Sequence, residues 1–135
     1  MSQLDLEGGC LCGAVRYRVR GEPAVSGICH CRTCRRTCAA PMLPFVTFPG
    51  ERFQFTRGTP VDFHSSAPVT RSFCGGCGTP LTYRHNEHAD VIDVMTCSLD
   101  NPEAFPPTHQ IWVSHKLAWI RLADGLPAYD TVRTD

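Results

Sequence analysis

The stretch FCGGCGTPL, residues 73–81, limits what this chain can fold into more than any other. Cys74 and Cys77 bracket two glycines, and Gly78 follows at once. Glycines there permit unusual backbone angles and a close approach of amides to thiolates, the requirement of a metal-binding knuckle. A redox Cys-x-x-Cys opens a helix in a βαβ setting. Here the β-like TPLTYRH follows instead, so the pair is read as half of a metal site. Its partner is EGGCLCGAV, residues 7–15, where Cys10 and Cys12 face one side of an extended segment and Leu11 points away. Neither pair completes a tetrahedron, but Cys10, Cys12, Cys74 and Cys77 together make a four-thiolate zinc site. Such a site ties the N-terminal segment to the middle of the chain, and its binding energy becomes folding energy.

Four of the five remaining cysteines crowd into GICHCRTCRRTCAAP, residues 27–41. Cys29 and Cys31 repeat the alternating logic, with His30 on the opposite side. About two helical turns are expected from Arg32, since RTCRRTCAA lacks breakers before Pro41. That helix would put Cys34 one turn on from Cys31, and its N-terminus with Arg32 and Arg35 favours thiolates. Three thiolates on one zinc leave a position open for chemistry, whereas four close the site. Cys38 lies four residues beyond Cys34 on the same face, and spacing alone allows either arrangement.

The nine cysteines are therefore not read as disulfides. The start MSQLDLEGG lacks a basic n-region and an apolar h-region, so no signal peptide is expected and a cytoplasmic location is the default. Lys+Arg and Asp+Glu are 13 each, which supplies no field for nucleic acid or an anionic membrane. No apolar run approaches the roughly 20 residues of a membrane span. At 135 residues a single domain, 1–135, is expected, with its own core.

Short runs cut by Gly and Pro mark a mostly β fold. AVRYRVRGEP alternates Val15, Tyr17 and Val19 against three arginines, which are read as a strand's solvent face. MLPFVTFP, RFQFTRG, VDFHSS, VTRSFC, TPLTYRH and DVIDVMTCSL continue the pattern, and THQIWVSHKLAWIRL offers one or two further strands. Cys97 is expected as a core thiol, and NPEAFPP as a rigid loop with Phe105 inserted in the core.

With these motifs in view, the chain resembles the family of glutathione-dependent formaldehyde-activating enzymes and centromere protein V. The resemblance spans residues 6–129 and rests on GGCLCGAVRY, CHCRTCRRT, FCGGCGTPL and LDNPEAFPPTHQIWVSHKLAWIRL, in the family's order. It implies an Mss4-like fold of short antiparallel strands with one short helix, stapled by zinc. It also implies two zinc ions per chain, a structural one on Cys10, Cys12, Cys74 and Cys77 and a catalytic one on Cys29, Cys31 and Cys34. Family members carry Ser or Thr and then Gly where this chain has Cys38 and Ala39, so the resemblance favours the three-cysteine site.

The implied activity is that of a carbon–sulfur lyase acting in the direction of addition, joining the thiol of glutathione to formaldehyde. Arginine suits the two carboxylates of glutathione, making Arg32 and Arg35 candidate contacts. Trp112 is a candidate pocket wall and His109 a candidate acid–base group, while His30, His64, His85, His88 and His115 carry less weight. The competing reading is a non-catalytic zinc-stapled module that binds a protein partner, which predicts a closed second site or none, and an exposed apolar patch.

Overall fold

The structure, a computed structural model, describes residues 5–122 and 125–134. In chain order its strands are β1 (Asp5–Gly9), β2 (Arg16–Arg20), β3 (Val25–Cys29), β4 (Leu43–Pro49), β5 (Phe53–Arg57), β6 (Val61–Ser66), β7 (Val69–Phe73), β8 (Pro80–His85), β9 (Val91–Met95) and β10 (Gln110–Ile111). A single helix, α1 (Arg32–Cys38), lies between β3 and β4 among the described residues. The fold is thus mostly β with one short helix.

Two sheets divide the strands. β1, β2 and β5 form an antiparallel sheet of three; the other seven run in the order β10-β3-β4-β9-β8-β7-β6. Among these strands only the β10–β3 pairing is parallel. The alternation in RYRVR decides how the sheets meet. Tyr17 and Val19 are fully buried, while Arg16 and Arg18 face outward and pair with Asp100 and Asp5. On the large sheet, Val46 and Phe48 of β4 and Ile92 and Val94 of β9 bury the facing side. Phe53 stacks on Tyr17 at 5.2 Å, and Phe105 meets Phe48 edge-on, so the NPEAFPP loop does insert its aromatic ring in the core.

Tyr17 fixes the closest approach. Its hydroxyl lies 2.7 Å from Ser98 Oγ, and a Cβ on Gly8 would stand 2.3 Å from that hydroxyl oxygen. Only glycine fits there.

The opposite face of the large sheet carries a second apolar cluster, in which Leu43, Phe45 and Met95 pack with Cys29 and Cys34. Helix α1 lies over this face. It is stopped at Ala39, which takes a left-handed conformation (φ 52°) while its amide donates to the Arg35 carbonyl.

One expectation fails at a strand end. Cys97 is exposed, not a core thiol, because β9 stops at Met95 and Thr96–Ser98 form a tight turn that buries its two neighbours instead. The stretch THQIWVSHKLAWIRL, expected to hold one or two strands, holds one, the two-residue β10. Trp112 is left-handed (φ 58°), Val113–His115 turn sharply, and the Trp112 amide donates to the Thr131 carbonyl at 2.7 Å. The returning chain takes the backbone partners that a longer strand would have used.

Candidate metal centres

The first cluster is built from two turns of the same design. In each, a cysteine carbonyl accepts from the amide of a left-handed glycine, Cys10 from Gly13 and Cys74 from Gly78, at 3.2 and 2.7 Å. Amides then point at sulfur. Val15 N donates to Cys10 Sγ at 3.2 Å, and Gly76 N and Cys77 N donate to Cys74 Sγ at 3.3 and 3.4 Å. The four sulfurs lie within 4.8 Å of one another, with Cys10–Cys12 at 3.6 Å and Cys12–Cys74 at 3.7 Å. Zinc–sulfur bonds of about 2.3 Å in a tetrahedron give sulfur–sulfur edges of about 3.8 Å, so the spacing fits that ion. The Thr79 hydroxyl and then its amide hold the Cys77 thiol down to about 5, a thiolate poised for metal.

Cys29, Cys31 and Cys34 form the second group, also within 4.8 Å. Cys29 ends β3. Cys31 caps the helix, its sulfur accepting from Cys34 N at 3.2 Å. Cys34 sits buried one turn on. Hydrogen bonds from Cys29 and then Cys34 hold the Cys31 thiol far below its usual range, and the same contacts push Cys29 up. Three soft donors with one shared centre are chemically fit for zinc.

Cys38 stands apart from this trio. Its thiol donates back along the helix to the Cys34 carbonyl at 3.1 Å, and burial pushes its pKa up. His30 turns the other way, fully buried with Nε2 2.8 Å from Gln110 Oε1.

The trio opens into a cavity of ≈ 630 Å³. Leu43, Phe45, Met95, Ile111 and Trp112 form its apolar wall, and Arg32, Arg71, Tyr83, Asp93 and His115 its polar one. Of the substrate-site candidates named from sequence, Arg32, Trp112 and the lesser candidate His115 are here. Arg32 lies 3.2 Å from His115 Nε2, and Trp112 stacks on the His115 ring at 5.1 Å. Arg35 and His109 are not on the cavity wall. Arg35 Nε donates to the His30 carbonyl, holding the helix to β3. His109 is buried, its ring against Gly27 and Tyr129.

Sequence reasoning missed three cavity residues that the sheet register assembles. Across β4, β9, β8 and β7, Thr47 pairs with Asp93, Asp93 with Tyr83, and Tyr83 with Arg71, so all four share one face. The Arg71 guanidinium lies over the Tyr83 ring at 4.9 Å, and its Nη2 is 3.7 Å from Cys34 Sγ. Ser65 and Thr37 accept from its other nitrogens at 3.0 and 3.5 Å. Burial raises the Asp93 carboxyl to about 6, against the opposing pull of the Thr47 hydroxyl, 2.5 Å away, and of Arg71. The one available signal was a lone acid in the apolar run VIDVM.

A second cavity of ≈ 660 Å³ adjoins the first and shares Arg32, Thr33, Ser65, Arg71 and Met95 with it. Arg36 and the exposed Phe63 extend it outward.

The sequence model of the glutathione-dependent formaldehyde-activating enzyme family matches residues 5–115. An uncharacterized lyase of Schizosaccharomyces pombe is 31% identical over 116 residues, covering 75% of this chain and 84% of that one. A Halomonas elongata protein, provisionally named a glutathione-dependent formaldehyde-activating enzyme, is 24% identical over 127 residues, covering 87% and 80%. A Rhodobacter sphaeroides protein of known crystal structure shares the fold, with a TM-score of 0.59 at 19% identity over 91% of this chain and 98% of that one. No helix among the described residues is long and apolar enough to cross a membrane.

Proposed function

This chain belongs to the family of glutathione-dependent formaldehyde-activating enzymes, and we propose that it adds a small glutathione-like thiol to an aldehyde such as formaldehyde. The observation that carries the proposal is the cysteine trio facing an open, half-apolar cavity. In this reading Cys10, Cys12, Cys74 and Cys77 hold a structural zinc, and Cys29, Cys31 and Cys34 hold a second. When bound with an open coordination position, such an ion lowers the pKa of a thiol placed there.

The chain's own residues supply the rest. Arg71 sets a fixed positive charge beside the cysteine trio. The apolar wall excludes water from a small aldehyde, which strengthens every charge interaction inside. Arg32, on the cavity wall, and Arg36, at the adjoining cavity, are placed for the carboxylates of a peptide-like thiol, which a guanidinium binds in a bidentate fork. The alternative, a closed module that binds protein, needs a fourth sulfur on the trio. Cys38 turns back on its own helix instead.

The test is zinc per chain, before and after mild chelation, on wild type, Cys34→Ser and Cys38→Ser, with the thiol–aldehyde addition assayed beside it. Expected are two zincs in wild type and Cys38→Ser, one of them labile, and one in an inactive Cys34→Ser. Loss of the second zinc from Cys38→Ser would close the site and sink the enzyme reading.

A further inference from the structure

Asp93 stands where two cavities meet. It lines the thiol cavity with Cys31, Cys34, Tyr83 and Arg71, and a separate outer pocket of ≈ 220 Å³ with His85 and His88. Thr47 engages Oδ1, and no hydrogen bond among the described residues engages Oδ2. A carboxyl so placed is open on one side to the reacting groups and on the other to a route for protons. The two histidine rings at that outer mouth are 5.3 Å apart.

Resting on the function proposed above, we propose that Asp93 is the catalytic acid–base of this site, taking the proton of the substrate thiol and returning it to the aldehyde oxygen. The ionised carboxylate accepts the S–H proton. The sulfur pair forms the C–S bond as the C=O π pair moves to oxygen. The carboxylic acid then gives the same proton to that oxygen, so the product leaves as S–CH₂–OH and Asp93 is ionised again. Nothing else is consumed. Between turnovers the outer pocket lets Asp93 equilibrate with water.

Other groups are worse placed. His115 is tied by Nε2 to Arg32, and its Nδ1 is buried without a hydrogen-bond partner among the described residues. Tyr83 is pushed up by burial, away from neutral pH. The charged and titratable groups facing Asp93 are Arg71 from β7, Tyr83 and His85 from β8, and His88 beyond it. Across the cavity stand Cys31, Cys34 and Arg32. Burial outweighs the Thr47 hydroxyl and Arg71 and leaves the carboxyl at about 6, a useful value for a base working near neutrality.

The zinc-loaded protein is titrated calorimetrically with glutathione at pH 7, in two buffers of different ionisation enthalpy. Wild type should release clearly fewer protons than Asp93→Asn, because the incoming thiolate raises the affinity of Asp93 for its proton. The profile of kcat/KM should rise through about pH 6 in wild type. Asp93→Asn should lose that limb and about 10²- to 10³-fold in rate. Thr47→Val, which removes the acidifying hydroxyl, should move the limb to higher pH with the fold intact.

Equal proton release with unchanged limbs in both variants overturns the role of Asp93 and leaves the enzyme reading standing. A wild type that neither binds glutathione nor catalyses the addition overturns the enzyme reading, and this inference falls with it.

Discussion

Holding Asp93 at the cavity wall costs stability, and the cost has a definite pH dependence. Its carboxyl rises from 3.8 to about 6 on folding, chiefly through burial. A raised acid pKa means that the folded state binds the proton more tightly, so stability falls as pH climbs between those two values. At about 1.4 kcal/mol per unit, the penalty is about 1 kcal/mol at pH 4.5 and levels off near 3 kcal/mol by pH 8. Asp93→Asn keeps the shape and an oxygen for the Thr47 hydroxyl but cannot ionise. It should therefore be more stable than wild type, by a margin that widens with pH and reaches about 3 kcal/mol, or roughly 10 °C in Tm. The assay is denaturant unfolding of both proteins from pH 4.5 to 8 at the same saturating zinc and reductant, so that metal linkage enters both alike. A margin that stays flat with pH, or a variant less stable at pH 8, would refute the reasoning. Stability gained where activity is lost is the usual signature of a group retained for chemistry.

Three further outcomes follow from the geometry. Cys74→Ser should cost the four-sulfur site its metal and abolish cooperative unfolding, whereas Cys34→Ser should still melt cooperatively; calorimetry separates them. Gly8→Ala drives a methyl into the Tyr17 hydroxyl and the Ser98 carbonyl, and should destabilise by about 1–3 kcal/mol, read by thermal melting. Arg71→Met removes the positive charge that favours thiolates at Cys31 and Cys34, so iodoacetamide should alkylate the metal-free trio more slowly at neutral pH.

The two cysteine clusters were legible because their chemistry is local. Cys-x-Cys and Cys-x-x-Cys with flanking glycines dictate sulfur positions over a few residues, and the uninterrupted run after Cys31 announced a helix. That Cys38 would stand apart was not legible from spacing, since a residue at i+4 shares the face of Cys34; the outcome turned on its thiol bonding to the Cys34 carbonyl instead. The Thr47–Asp93–Tyr83–Arg71 row was invisible for a different reason. Its members come from four strands, and only the register of the finished sheet sets them side by side. Cys97 misled because the apolar run of β9 continues past the point where the backbone turns. In Trp112, a left-handed backbone at an aromatic residue overrode the strand pattern that its neighbours spelled out.

Strand β7 has a consequence for how the protein responds to metal supply. It ends at Phe73, one residue before Cys74, while Arg71 on the same strand reaches Cys34. A rigid knuckle at one end therefore stiffens the support for the guanidinium at the other. On the zinc reading proposed above, metal on the four-sulfur group would support the three-sulfur group, and by reciprocity the second would strengthen the first. On that reading zinc scarcity would empty the three-sulfur group, which has fewer protein ligands, before the four-sulfur one, and the proposed chemistry would stop while the fold survives.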